Sequence, residues 1–225
     1  MIRSSLLFAA LSVVLLSPEA RASEAEGKWV PLASLLPGVP PAAIGPGAPA
    51  DEDDKAADEK KQLAKKRASL RTLHRAFGIT TWVSLAATNV LGTARYANVV
   101  GFGTPRCESG SPIFGEKWGC GDGLKVQHLV SASFTTLSYA TTRTIAALMP
   151  DPYGAAEGDD WTAKRLRWHR ALSWVHLAGM IAMPILGLAT SSAEGQARDN
   201  LATAHLVTGW TTFAAVTAAG SLMVF

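Results

Sequence analysis

Charge is scarce in this chain. Only 17% of its 225 residues are Asp, Glu, Lys or Arg, against about 25% in soluble domains. The charges fall in blocks and leave long uncharged apolar runs. That pattern argues against a soluble core and for helices in lipid. The net charge of +3 is too small for a nucleic-acid footprint, and its basic residues border apolar runs, where lipid head groups are the expected partners. Cysteine and histidine are rarer still, at two and five residues. No Cys or carboxylate accompanies the histidines inside the apolar runs, which disfavours a closed zinc site, since zinc takes about four protein ligands.

The N-terminus has Arg3, then an apolar stretch from Leu6 to Leu16 that is too short to span a bilayer, then Ala20-Arg21-Ala22. These are the three parts of a secretory signal peptide over residues 1–22. Residues 23–69 read as a tail. Its first part is rich in Pro, Gly and Ala and reads as a linker. Its second part, DEDDKAADEKKQLAKKR, reads as a short solvated helix.

Residues 70–225 hold four apolar segments, at 71–95, 125–149, 166–190 and 201–225. Each reaches the ~20 residues that cross a hydrocarbon core, and lipid forces such segments to be helices. The expected fold is therefore all-α, a membrane four-helix bundle. The first and third segments share His-Arg-Ala, at His74 and His169, and each has a glycine eighteen residues on, at Gly92 and Gly187. The second and fourth share His-Leu-Val, at His128 and His205. The bundle thus reads as two duplicated helical hairpins.

Each segment carries one of these histidines near its start. Because the helices alternate in direction, His74 and His169 lie near one face of the membrane and His128 and His205 near the other. An ionisable group inside a membrane helix usually faces the bundle interior. Two opposed imidazoles across a four-helix bundle suit a b-type haem, with one nitrogen on each side of the iron. Four residues past the histidines stand Gly78, Ala132, Ser173 and Gly209. All are small, as a flat macrocycle against a helix requires. Arg75 and Arg170, with Arg71 and Arg167 nearby, are placed to hold haem propionates, and Lys125 is placed likewise on the other face. No C-x-x-C-H occurs, so covalent c-type haem is excluded. The fifth histidine, His176, breaks the repeat and reads as a buried polar group bonded to a neighbouring helix.

Four helices with one His each, followed by a small residue as in HRAFG and HLVTG, resemble the core of the cytochrome b561 family. The resemblance covers residues from about 70 to 225. It implies electron transfer across the membrane through two b haems per chain. The implied iron ligands are His74 with His169 and His128 with His205. It also implies ascorbate, a quinol or another small reductant as donor and a redox partner protein; the expected location is the cell inner membrane, as a multi-pass protein. A homodimer is compatible with it, and no catalytic side chain is assigned. The competing reading is a non-catalytic scaffold or assembly protein whose histidines only bond between helices.

Orientation divides the signals. The signal peptide expects a periplasmic tail and a cytoplasmic loop near 96–124. Basic residues gather on the tail side, from Lys60 to Arg71 and again at Lys164, Arg165 and Arg167, which expects the opposite. The Ala-x-Ala site is the more specific signal and favours the periplasmic tail. Cys107 and Cys120 lie together in that loop.

Overall fold

The computed structural model describes residues 50–224, so the signal-peptide expectation and the Pro-rich part of the tail lie outside the described residues. Four helices run through the rest: α1 (Ala50–Val99), α2 (Asp122–Ala147), α3 (Trp161–Ser192) and α4 (Gly195–Val224), with a π-helical turn at Glu116–Cys120. No strand occurs among the described residues. The charge run forms a helix, continuous with the first apolar segment, and α1 reaches 50 residues. Asp160 caps α3, its carboxylate accepting from the Ala163 N–H at 2.6 Å. Gly195 takes φ 54°, which lets the chain turn from α3 into α4 within two residues. Pro184 sits inside α3 without ending it, where it removes one backbone donor.

The helices pair as hairpins, α1 along α2 and α3 along α4, and the hairpins meet mainly through α1 and α4. Hydroxyls join α1 to α2. Thr81 Oγ1 lies 2.9 Å from Ser138 Oγ, and Thr88 Oγ1 lies 2.6 Å from Ser131 Oγ and 3.0 Å from Thr135 Oγ1. Between α1 and α4, Asn89 donates to the Gly209 carbonyl at 3.0 Å, and Trp82 donates to Thr217 at 2.9 Å. The interior is polar at these points. The exterior is apolar: Ile79, Val83, Val90, Leu129, Phe134, Leu137, Ile185 and Leu188 all point outward. A soluble domain of this size buries such residues.

Of the four helices, α3 and α4 are long and apolar enough to cross a membrane. All four have the length. What α1 and α2 lack is apolarity, and the missing part is their Thr and Ser, several of which are buried and hydrogen-bonded across the hairpin. Bonds of this kind tie helices together inside lipid as well as in water.

Two loops close the ends. The loop after α1 is clipped by a disulfide between Cys107 and Cys120. It is also moored by Asn98, whose fully buried amide donates to the Ile113 and Gly119 carbonyls at 3.0 Å each and accepts from the Ile113 N–H at 2.9 Å. In the loop after α2, Asp151 gathers Arg67 of α1 and Arg170 of α3. Burial works against the Asp151 charge. The Ala155 N–H and the two guanidinium groups outweigh it, and the carboxyl lies below its ordinary value.

Candidate functional site, two opposed histidine pairs

The duplication extends past the histidines to the groups that hold them. His74 on α1 bonds through Nδ1 to the Thr142 carbonyl of α2 at 3.2 Å. Its repeat mate, His169 on α3, bonds to the Ala219 carbonyl of α4 at 2.9 Å. His128 on α2 bonds back to the Thr88 carbonyl of α1 at 3.2 Å. His205 on α4 approaches the Met183 carbonyl of α3 but stays outside hydrogen-bond geometry, so its buried Nδ1 has no partner among the described residues. Thr88 and Met183 are repeat mates, as are Thr142 and Ala219. A carbonyl only accepts, so Nδ1 carries the proton in the three bonded rings. Nε2 is then left with a free lone pair, the arrangement found behind most metal-bound histidines.

Glycine makes this seating possible. A Cβ on Gly92 would lie 2.9 Å from His128 Cε1, and one on Gly187 would lie 3.3 Å from His205 Cε1. Each imidazole therefore rests on bare backbone of the neighbouring helix. The eighteen-residue spacing from histidine to glycine marked the repeat in the sequence, and its purpose is visible only here.

The structure brings the four histidines together in two pairs. The His74 and His169 rings have centroids 6.3 Å apart, at 82° to each other. The His128 and His205 rings have centroids 6.1 Å apart, at 74°. A metal–imidazole bond is about 2.0 Å, and a ring centre lies roughly 1 Å behind its nitrogen, so two imidazoles on one metal sit roughly 6 Å apart. The spacing of both pairs fits. Between them lies a core layer of Leu85, Tyr139 and Met180, with Val216 packed against it. Each member stands eleven residues, about three turns, past the histidine of its own helix.

The residues expected around the rings separate into different roles. Ser173 is buried and bonds its own helix at the Arg170 carbonyl, 2.7 Å away. Gly209 is buried against α1, where a Cβ would come within 2.8 Å of Asn89 Oδ1, so its smallness serves helix packing. At Gly78 a Cβ would touch only the Thr142 methyl, at 4.0 Å. Ala132 is half-buried on α2. Arg75 and Arg71 are exposed. Arg170 pairs with Asp151 at 3.2 Å, and Arg167 donates to the Ala156 and Gly158 carbonyls. Lys125 is exposed on α2. His176 stands apart from both pairs, and its Nδ1 lies 2.8 Å from the Tyr139 hydroxyl, an α2–α3 bond of the kind expected for it.

No family model, curated protein or solved structure matches this chain. Its chemistry has to be read from the geometry alone. Among the described residues no third His, Cys, Asp or Glu joins either pair. Two opposed nitrogens suit a metal whose remaining ligands come with it in a planar ring, which is the donor set that a b-type haem needs.

Two residues near the pairs were missed in the sequence. Arg143 on α2 lies within electrostatic reach of His74 and His176, and Arg95 on α1 lies within reach of His128. Both are half-buried, each four residues from the end of its helix. An arginine inside the apolar run 125–149 was signal enough for the first.

Proposed function

We propose that this chain is a membrane cytochrome of the b561 type, carrying electrons through two b haems held by His74 with His169 and by His128 with His205. The observation that carries this reading is the double pairing, two ring pairs about 6 Å apart on diagonal helices. Haem supplies the one-electron chemistry. The chain binds it through Nε2, orients the imidazoles through the Thr142, Ala219 and Thr88 carbonyls, and encloses the path between the sites in an apolar layer. The outward Ile, Leu, Val and Phe side chains support a bilayer around all four helices. The donor is then a small organic reductant such as a quinol.

The test is an absorption spectrum of the detergent-purified protein, oxidised and then dithionite-reduced, with a pyridine haemochrome count. About two b haems per chain and a sharp reduced α-band are expected. A colourless protein made with ample haem would leave the scaffold reading.

The same proposal includes an orientation. Disulfides persist in oxidising compartments, so the Cys107–Cys120 clip supports an external loop after α1. The basic flank on the opposite side agrees. This reverses the orientation favoured by the Ala-x-Ala site. Chains quenched with acid from intact cells are expected to show no alkylatable thiol before reduction. Two free thiols in that assay would return the loop to the cytoplasm.

A further inference from the structure

We propose that Arg143 holds the carboxylate edge of the macrocycle bound at the His74–His169 pair, with Arg95 as its counterpart at the second pair. The inference rests on the haem reading above and adds the groups that recognise the acid side chains of that haem.

Arg143 sits on α2, directly after Thr142, whose carbonyl already accepts from His74. Its guanidinium lies over the face of Trp174, 5.2 Å from the ring centroid, a contact that fixes its direction. His74, His176 and Tyr139 lie within its electrostatic reach. Four of the arginines at this end have acceptors: Arg67 and Arg170 on Asp151, Arg165 on the Leu222 carbonyl, and Arg167 on two loop carbonyls; Arg71 and Arg75 are exposed. Arg143 has none among the described residues, and neither does Arg95, although Asp122 is within electrostatic reach of the latter. A half-buried cation without an anion is costly. Asp151, one of the acids of the adjoining loop, is taken by two other guanidinium groups. A guanidinium fork matches a carboxylate in two parallel bonds. A b haem brings two such carboxylates on one edge.

The experiment uses the full chain with His128→Ala, which leaves only the first pair. It is loaded with haem b or with haem b whose two carboxyls are methyl esters, and release to excess apomyoglobin is timed. With haem b, adding Arg143→Gln is expected to speed release at least tenfold, Arg143→Lys less, and Arg95→Gln not at all. With the diester, Arg143→Gln is expected to change nothing. Equal acceleration for both macrocycles, or none for either, would overturn the proposal. So would an effect that follows the anionic lipid content of the micelle, which would assign the guanidinium to a head group. Failure of the parent chain to take up either macrocycle would overturn the haem reading itself, and this proposal with it.

Discussion

A chain with His169→Ala is expected to hold one haem where the parent holds two. The two pairs share no ligand, and a core layer, about three helical turns past each histidine, stands between them. Removing His169 would take one of the two proposed ligand imidazoles from the first site and leave the His128–His205 pair untouched. The protein itself should still fold. The lost bond to the Ala219 carbonyl is a single half-buried hydrogen bond, a loss of roughly 1 kcal/mol. The haemochrome count per chain should fall by half, and the surviving haem should keep the midpoint potential it has in the parent. Retention of both haems would refute the pairing, and loss of both would mean that the sites are one cooperative unit.

Gly92→Val should weaken the other site. The new Cβ would stand 2.9 Å from His128 Cε1 and 3.3 Å from Nδ1, closer than real side chains approach. The imidazole must leave the surface of α1, and with it goes the bond to the Thr88 carbonyl. Overpacking of this kind costs about 1–3 kcal/mol, and each 1.4 kcal/mol is a tenfold change in affinity. A roughly ten- to hundredfold loss of haem affinity at the second site is the expected result, with the first site unchanged. Gly187→Val should act more weakly, because there the clash with His205 begins at 3.3 Å. If Gly92→Val chains hold two haems with unchanged affinity, His128 is not a ligand in this seating.

Much of this arrangement could be read along the chain, because one histidine per helix is a rare mark in apolar sequence. The His-Arg-Ala and His-Leu-Val matches fixed the repeat, and alternating helix direction fixed which histidines meet. The register of the carbonyls could not be read, since Thr142, Ala219 and Thr88 act through backbone and carry no side-chain signature. Small residues misled at Gly209, where the absent side chain makes room for Asn89. The Arg170–Asp151 pair was not legible either, because Asp151 stands in a loop whose path no periodicity predicts. The mooring of the loop after α1 by Asn98 depends on three backbone groups, and nothing in the sequence distinguishes that asparagine from Asn89.

Neither hairpin owns a site. Each gives one imidazole to each pair, so every bound metal would join α1–α2 to α3–α4. Side-chain ties between α2 and α3 include the Tyr139–His176 bond and the stacking of Arg143 on Trp174, while the α1–α4 seam is held by a few hydrogen bonds. If haem binds there, occupancy and the docking of the halves are thermodynamically linked, and each haem would add to the hairpin–hairpin association the free energy of its own binding. On the haem reading, the two hairpins would dock more firmly with cofactor than without it, and haem supply would then act on how the chain assembles.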